Sequence, residues 1–149
     1  MLHGKRIFLD DKPYLTRYYL KGDGSRETWE IWLHNIHTAD PWRDPHNHPF
    51  DWFLSIVLWG WYAEERYDWA NDAWGPSERV KWYSYMPHRS IFHRITWVKP
   101  GGVWTLIIVP AKGTEGARRW TWGYASQGTD RAFVPHNEAP IPGARTEEF

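Results

Sequence analysis

The chain has 149 residues, a length that fits one domain with its own core. Lys plus Arg is 18 and Asp plus Glu is 18, so the formal net charge is zero. That balance argues against a general nucleic-acid binder and against a polybasic membrane-surface protein. With no cysteine, disulfides, thiolate metal sites and a cysteine nucleophile are excluded.

In chain order, strand-like runs are expected at about 5–9, 13–20, 28–37, 52–59, 61–68, 79–86, 91–98, 103–109 and 118–125. No longer segment has clean helical periodicity. The first ten residues lack the apolar run of a secretory signal, and no stretch approaches the length of a membrane span. A soluble, cytoplasmic protein is therefore expected. Gly22-Asp23-Gly24-Ser25 separates the second and third runs, and Pro100-Gly101-Gly102 suits a tight turn between two later ones. About nine short strands indicate an all-β sandwich, barrel or jelly roll. Residues 1–134 read as one β domain. Residues 135–149, with prolines at 135, 140 and 142, read as an extended tail.

Tryptophan is abundant, at 13 residues, with eight Tyr and six Phe. Core packing accounts for most such residues. Trp59 with Trp61, and Trp120 with Trp122, are each expected to share a strand face. They suit a homodimer interface or a stacking surface for a sugar or base.

The eight histidines sit at 3, 34, 37, 46, 48, 88, 93 and 136. In an extended segment His46 and His48 point to one face, about 7 Å apart. Imidazoles at that spacing can converge on one ion if another strand supplies a third nitrogen. His93 is the first candidate, because Ile91, His93, Ile95 and Trp97 share a face; His88 is the second. Three neutral imidazoles on a divalent ion leave positions open for water or substrate. Their other ring nitrogens need partners, for which His34, His37, Asp44, Asp51 and the tyrosines are candidates. His37 is preferred to His34 for this role. Asp51 has the wrong spacing from His48 for a direct ligand. An anionic substrate calls for an arginine: Arg43, Arg89 and Arg94 lie nearest in sequence. Arg89 is preferred, because Arg94 should face away from His93.

These residues resemble the cupin superfamily, whose first motif runs G-x5-H-x-H-x3,4-E-x6-G. His46 and His48, four residues, Phe53, six residues and Gly60 match its spacing. Asp40 stands in the leading glycine slot and Phe53 in the glutamate slot. The second motif, G-x5-P-x-G-x2-H-x3-N, survives only in His93; His88, Ser90 and Trp97 occupy its Pro, Gly and Asn slots. The resemblance covers about residues 28–110 and extends to a group of small bacterial and phage cupins. It implies a single-domain, double-stranded β-helix, the jelly-roll barrel.

Loss of the glutamate is similar to the cysteine-dioxygenase-like branch, which binds Fe(II) through three histidines. The cysteine–tyrosine cross-link of some members cannot form here. The resemblance thus implies a metal-dependent, dioxygenase-like oxidoreductase with Fe(II), or alternatively Zn, Ni or Mn, at His46, His48 and His93. Three neutral ligands leave the full metal charge to attract a small anionic substrate. Two other functions remain open: a non-catalytic cupin holding a sugar or nucleotide, and a metal-independent sugar isomerase or epimerase. The last needs a His–carboxylate pair, and none is evident from spacing.

Overall fold

The structure is a computed structural model that describes residues 2–42, 44–112, 123–126, 132–135 and 143–149. The described residues contain no helix. Their strands are β1 (Gly4–Leu9), β2 (Lys12–Lys21), β3 (Glu30–Ile36), β4 (Phe53–Trp59), β5 (Tyr62–Asp68), β6 (Ala73–Trp74), β7 (Glu78–Val80), β8 (Tyr83–Met86), β9 (Ile91–Val98), β10 (Val103–Val109), β11 (Gly123–Ser126), β12 (Ala132–Pro135) and β13 (Ala144–Glu148).

One sheet runs in the order β13-β1-β2-β3-β10-β4-β8. In the second, β9 pairs along the length of β5, while β6 and β7 pair its two ends. β11 and β12 form a hairpin. Every pairing is antiparallel. This is the jelly-roll arrangement, in which two sheets bury their facing sides.

The alternation of side chains explains which faces are buried. In β3, Trp32, His34 and Ile36 are buried, and Ile31, Leu33 and Asn35 are less so. In β10, Val103, Thr105, Ile107 and Val109 are buried in the same alternating way. Two apolar clusters result. One holds Trp32, Phe50, Phe53, Met86, Ile107 and Val109. The other holds Ile36, Tyr62, Val80, Ile95 and Val103. Fully burying a side chain of this size contributes roughly 1.5–3 kcal/mol. A cavity of about 110 Å³ lies between residues of the two clusters.

The Pro100-Gly101-Gly102 turn joins β9 to β10. Gly101 and Gly102 have φ of 92° and 87°, which glycine adopts without strain. A Cβ on Gly102 would also lie 2.8 Å from Asn35 Oδ1, so the site is closed to larger residues.

Two sequence expectations differ from the structure. The run at 79–86 divides into β7 and β8, which belong to different sheets. Lys81 and Trp82 carry the chain across, and the Trp82 carbonyl accepts the Val57 N–H at 2.7 Å. Trp59 and Trp61 do not share a strand face: Gly60, at φ 82°, turns the chain between β4 and β5. Trp61 instead stacks on Trp97 at 4.2 Å, and Lys99 lies over Trp59. The C-terminal segment ends in β13, an extended strand that pairs with β1 from Lys5 to Leu9. Trp120, Trp122 and most of the run at 118–125 lie outside the described residues.

Candidate metal centre

Residues 45–48 are held between two elements by backbone bonds. The His46 N–H donates to the His93 carbonyl and the His93 N–H to the His46 carbonyl, each at 2.8 Å. On the other side, Asn47 N–H donates to the Gly123 carbonyl and Ala125 N–H to the Pro45 carbonyl. The fully buried Asn47 side chain locks the segment: its Oδ1 accepts from Gly123 N–H at 2.9 Å, and its Nδ2 donates to the Arg89 carbonyl at 3.1 Å. Between them, His46 and His48 turn toward His93. Candidate ligand atoms of the three imidazoles all lie within 4.8 Å of one another. His48 Nε2 and His93 Nε2 are 2.8 Å apart.

Two carboxylates stand behind the cluster. Glu64, buried on β5, has Oε2 3.0 Å from His93 Nδ1. Burial alone would raise this carboxyl. Hydrogen bonding and charge at His93, the Arg66 guanidinium and Ser84 outweigh burial and hold it at about 2. An ionised carboxylate only accepts, so His93 Nδ1 carries the proton and donates it. With Nδ1 turned to Glu64, His93 presents Nε2 to the cluster. Asp40 Oδ2 lies 3.8 Å from His46 Nδ1 and accepts the Ile95 N–H at 2.7 Å. Its Oδ1 accepts from the Tyr14 hydroxyl.

Burial dominates the electrostatics. It lowers His46 to about 4, although Asp40 opposes the shift. It lowers His48 well below the usual histidine range, and the neighbouring His46, His93 and Arg17 act in the same direction. Burial beside Asp40 also raises Tyr14 strongly and Tyr124 to about 12. His46 and His48 are thus neutral near pH 7.

Phe53, in the slot where the cupin motif has glutamate, is buried with its ring 4.8 Å from that of His48. Phe50 stacks on His48 at 5.7 Å. An apolar wall therefore replaces the motif's carboxylate. The chain is not in a strand from 49 to 52, and strand parity changes across it. Phe53 and Ser55 face inward, rather than the expected Leu54, Ile56 and Leu58.

The other sequence candidates fall elsewhere. His37 lies outside the cavity, with its Nε2 2.9 Å from Thr16 Oγ1; His34, the less favoured of the two, lines the cavity. Asp51 is 56% exposed and forms an ion pair with Arg89 at 3.0 Å, so its carboxylate faces solvent. His88 is exposed and its Nδ1 lies 2.6 Å from Ser90 Oγ. Arg94 pairs with Glu65 at 2.6 Å on the face opposite His93. Neither Arg89 nor Arg94 lines the cavity. Arg43 and His136 lie outside the described residues.

Sequence reasoning missed Glu64, Asp40 and Arg17. A signal existed for Glu64, because it shares the inward alternation of Tyr62 in a strand-like run. Asp40 was visible as a charged residue in a glycine slot. Among the described residues, Arg17 is the arginine that lines the cavity.

No protein-family profile matches this chain, and no curated protein does. Solved structures do. An oxalate decarboxylase OxdC mutant of Bacillus subtilis superposes with a TM-score of 0.50 at 11% identity, over 74% of this chain and 31% of that one. KdgF from a Halomonas species gives 0.49 at 15%, over 69% and 86%. The hydroxypropylphosphonic acid epoxidase of S. wedmorenis gives 0.46 at 18%, over 71% and 55%. The chain thus spans about a third of the decarboxylase and about half of the epoxidase. At these identities the likeness concerns the fold alone, a jelly-roll barrel. Inside that barrel the chain carries a cluster of three histidines.

Proposed function

We propose that this protein is a metal-binding cupin. Its His46, His48 and His93 hold one divalent transition metal, with Fe(II) favoured over Zn, Ni or Mn. It acts as a dioxygenase-like enzyme on a small anionic substrate. The observation that carries the reading is the convergence of the three imidazoles, with candidate ligand atoms within 4.8 Å.

The donor set fits a metal. Neutral imidazole is a common ligand for these ions. Lone pairs directed at one another repel unless a cation or a shared proton lies between them. Glu64 fixes the tautomer and orientation of His93, a role that carboxylates serve behind metal-bound histidines. When bound, Fe(II) with neutral ligands supplies a full positive charge and adjacent positions for substrate and O₂. The chain's own contribution is to orient the imidazoles and to exclude water with Phe50 and Phe53.

The test is anaerobic reconstitution of metal-free protein with Fe(II), followed by O₂ uptake with a panel of small carboxylates and amino-thiols. Uptake that depends on one of these substrates and is absent with Zn(II) supports the reading. Fe(II) binding without uptake across the panel overturns the dioxygenase-like part and leaves a binding barrel.

A second reading draws on the Glu64–His93 pair. This is the His–carboxylate arrangement that a metal-independent isomerase requires, although it was not evident from spacing. Proton exchange between solvent and a sugar substrate in metal-free protein would favour it.

A further inference from the structure

We propose that Arg66 is a positioning residue of the metal centre: with Ser84 it clasps the two sheets together and holds Glu64 in the orientation that fixes His93. This inference rests on the metal-site reading and extends it one residue further from the ion.

Arg66 lies on β5, two residues beyond Glu64 and opposite His93 of β9. Its guanidinium makes three bonds. Nε donates to Glu64 Oε1 at 3.0 Å, Nη2 to Ser84 Oγ at 2.8 Å and Nη1 to the Tyr85 carbonyl at 2.8 Å. Ser84 and Tyr85 belong to β8, at the edge of the large sheet, whereas β5 belongs to the other sheet. One planar fork thus spans both sheets, a geometry that a point-like lysine ammonium does not match.

Ser84 completes the clasp. It is buried, and its Oγ donates to Glu64 Oε1 at 2.9 Å while accepting from Arg66. Glu64 is buried as well, so its carboxylate is oriented by protein partners. Oε1 takes the bonds from Ser84 and Arg66, and Oε2 takes the bond from His93 Nδ1 at 3.0 Å.

The terminal torsion of a glutamate is broad and roughly two-fold. A carboxylate held at one oxygen alone keeps that freedom; one held at both oxygens loses it. His93 Nδ1 then meets a fixed acceptor, and the plane of its ring is set. Backbone bonds with His46 fix where the His93 side chain starts, but not how its ring turns. The turn of that ring matters because His93 touches both other histidines. Its Nε2 lies 2.8 Å from His48 Nε2, and its ring centroid lies 4.7 Å from that of His46. A binding constellation works when its groups are held within about 0.5 Å of the required geometry. On this account the Arg66–Ser84 clasp supplies that restraint for His93.

The test uses the whole chain with Arg66→Met and Arg66→Lys. Zinc affinity is measured by competition titration, and the His93 ring N–H is followed by NMR in metal-free protein. Arg66→Met should bind zinc about 10-fold more weakly, the low end of the range for groups that support a metal ligand. It should also speed exchange of the His93 Nδ1 proton with solvent. Arg66→Lys should restore part of both. In Glu64→Gln/Arg66→Met the loss of affinity should be no greater than in Glu64→Gln alone, because Arg66 acts through Glu64.

Unchanged zinc affinity and unchanged proton exchange in Arg66→Met overturn the proposal, even where the variant is less stable, because the clasp then only joins the sheets. Losses that multiply in the double variant overturn it too, since Arg66 then acts by another route. If Arg66→Met does not fold, Arg66→Lys and Ser84→Ala carry the same two readouts, and no change in either readout overturns the proposal. Failure of wild type to take up zinc is a separate result that defeats the metal reading. Proton exchange at His93 in the metal-free chain then decides on Arg66 alone.

Discussion

The two walls of the cavity treat charge in opposite ways. On the wall built by β9 and residues 45–48, imidazoles are backed by carboxylates. Glu64 stands 3.0 Å from His93 and Asp40 stands 3.8 Å from His46. On the wall built by β2 and β3, the Arg17 guanidinium rests on Trp32 and donates to a neutral histidine, His34. A histidine backed by a carboxylate is oriented and made a better donor. The contrast shows that inward charges in this barrel are not interchangeable polar insertions: their neighbours assign each a different task.

The largest expected effect comes from removing the shelf under Arg17. Trp32→Ala should cost about 3–5 kcal/mol of stability, the range for a buried Trp, as measured by chemical denaturation. Trp32→Phe keeps an aromatic face and should cost less. If Trp32→Ala costs under about 1 kcal/mol, Trp32 is not the core residue its burial indicates.

The two carboxylates offer the next contrast. Glu64→Gln should weaken metal binding by about 10–100-fold in competition titrations. Asp40→Asn should weaken it less, because its contact with His46 is longer and the Tyr14 hydroxyl and Ile95 N–H also hold that side chain. Equal losses would show that separation from the imidazole does not set the effect.

A smaller effect concerns pH. His34 is neutral in the fold, while the unfolded chain protonates it near 6.5. The unfolded state therefore binds more protons, and stability falls as pH drops below that value. By pH 5.5 the His34 share is roughly 1 kcal/mol. The stability of His34→Gln between pH 7 and 5.5 should decline less than wild type by that amount. Glu64 contributes little to this window, because its unfolded value of 4.5 and its folded value of about 2 both lie below it. An unchanged slope would mean that His34 is charged in the fold.

The smallest effect belongs to the Asp51–Arg89 pair. Asp51→Ala should change stability by less than about 1 kcal/mol, as for other exposed ion pairs, and should leave metal binding unchanged. Loss of metal in that variant would return Asp51 to the site.

The legible part of this molecule was local. Alternation places His46 and His48 on one face, and the same alternation turns His93 inward with Ile95. The pattern of short strands and turns indicated an all-β jelly roll. The less legible part depends on which strands become neighbours. Glu64 reaches His93 because β5 pairs with β9, and Arg17 reaches His34 because β2 pairs with β3. Spacing along the chain carries little of that information. His34 and His37 have opposite parity, and only the pairing of β3 with β2 and β10 decides that Trp32, His34 and Ile36 form the buried set. The run at 79–86 reads as continuous because neither Lys81 nor Trp82 is a turn residue that would mark the change of sheet. In each case tertiary pairing, rather than local propensity, made the difference.

The central claim is that His46, His48 and His93 hold one metal ion. Elemental analysis of untagged protein purified without chelators tests it most directly, beside the His46→Ala/His48→Ala double variant. The account predicts about one equivalent of a divalent transition metal per chain in the wild type and its loss in the folded variant. Wild-type protein that contains no metal and takes none up on reconstitution, or a variant that retains the full equivalent, would contradict it.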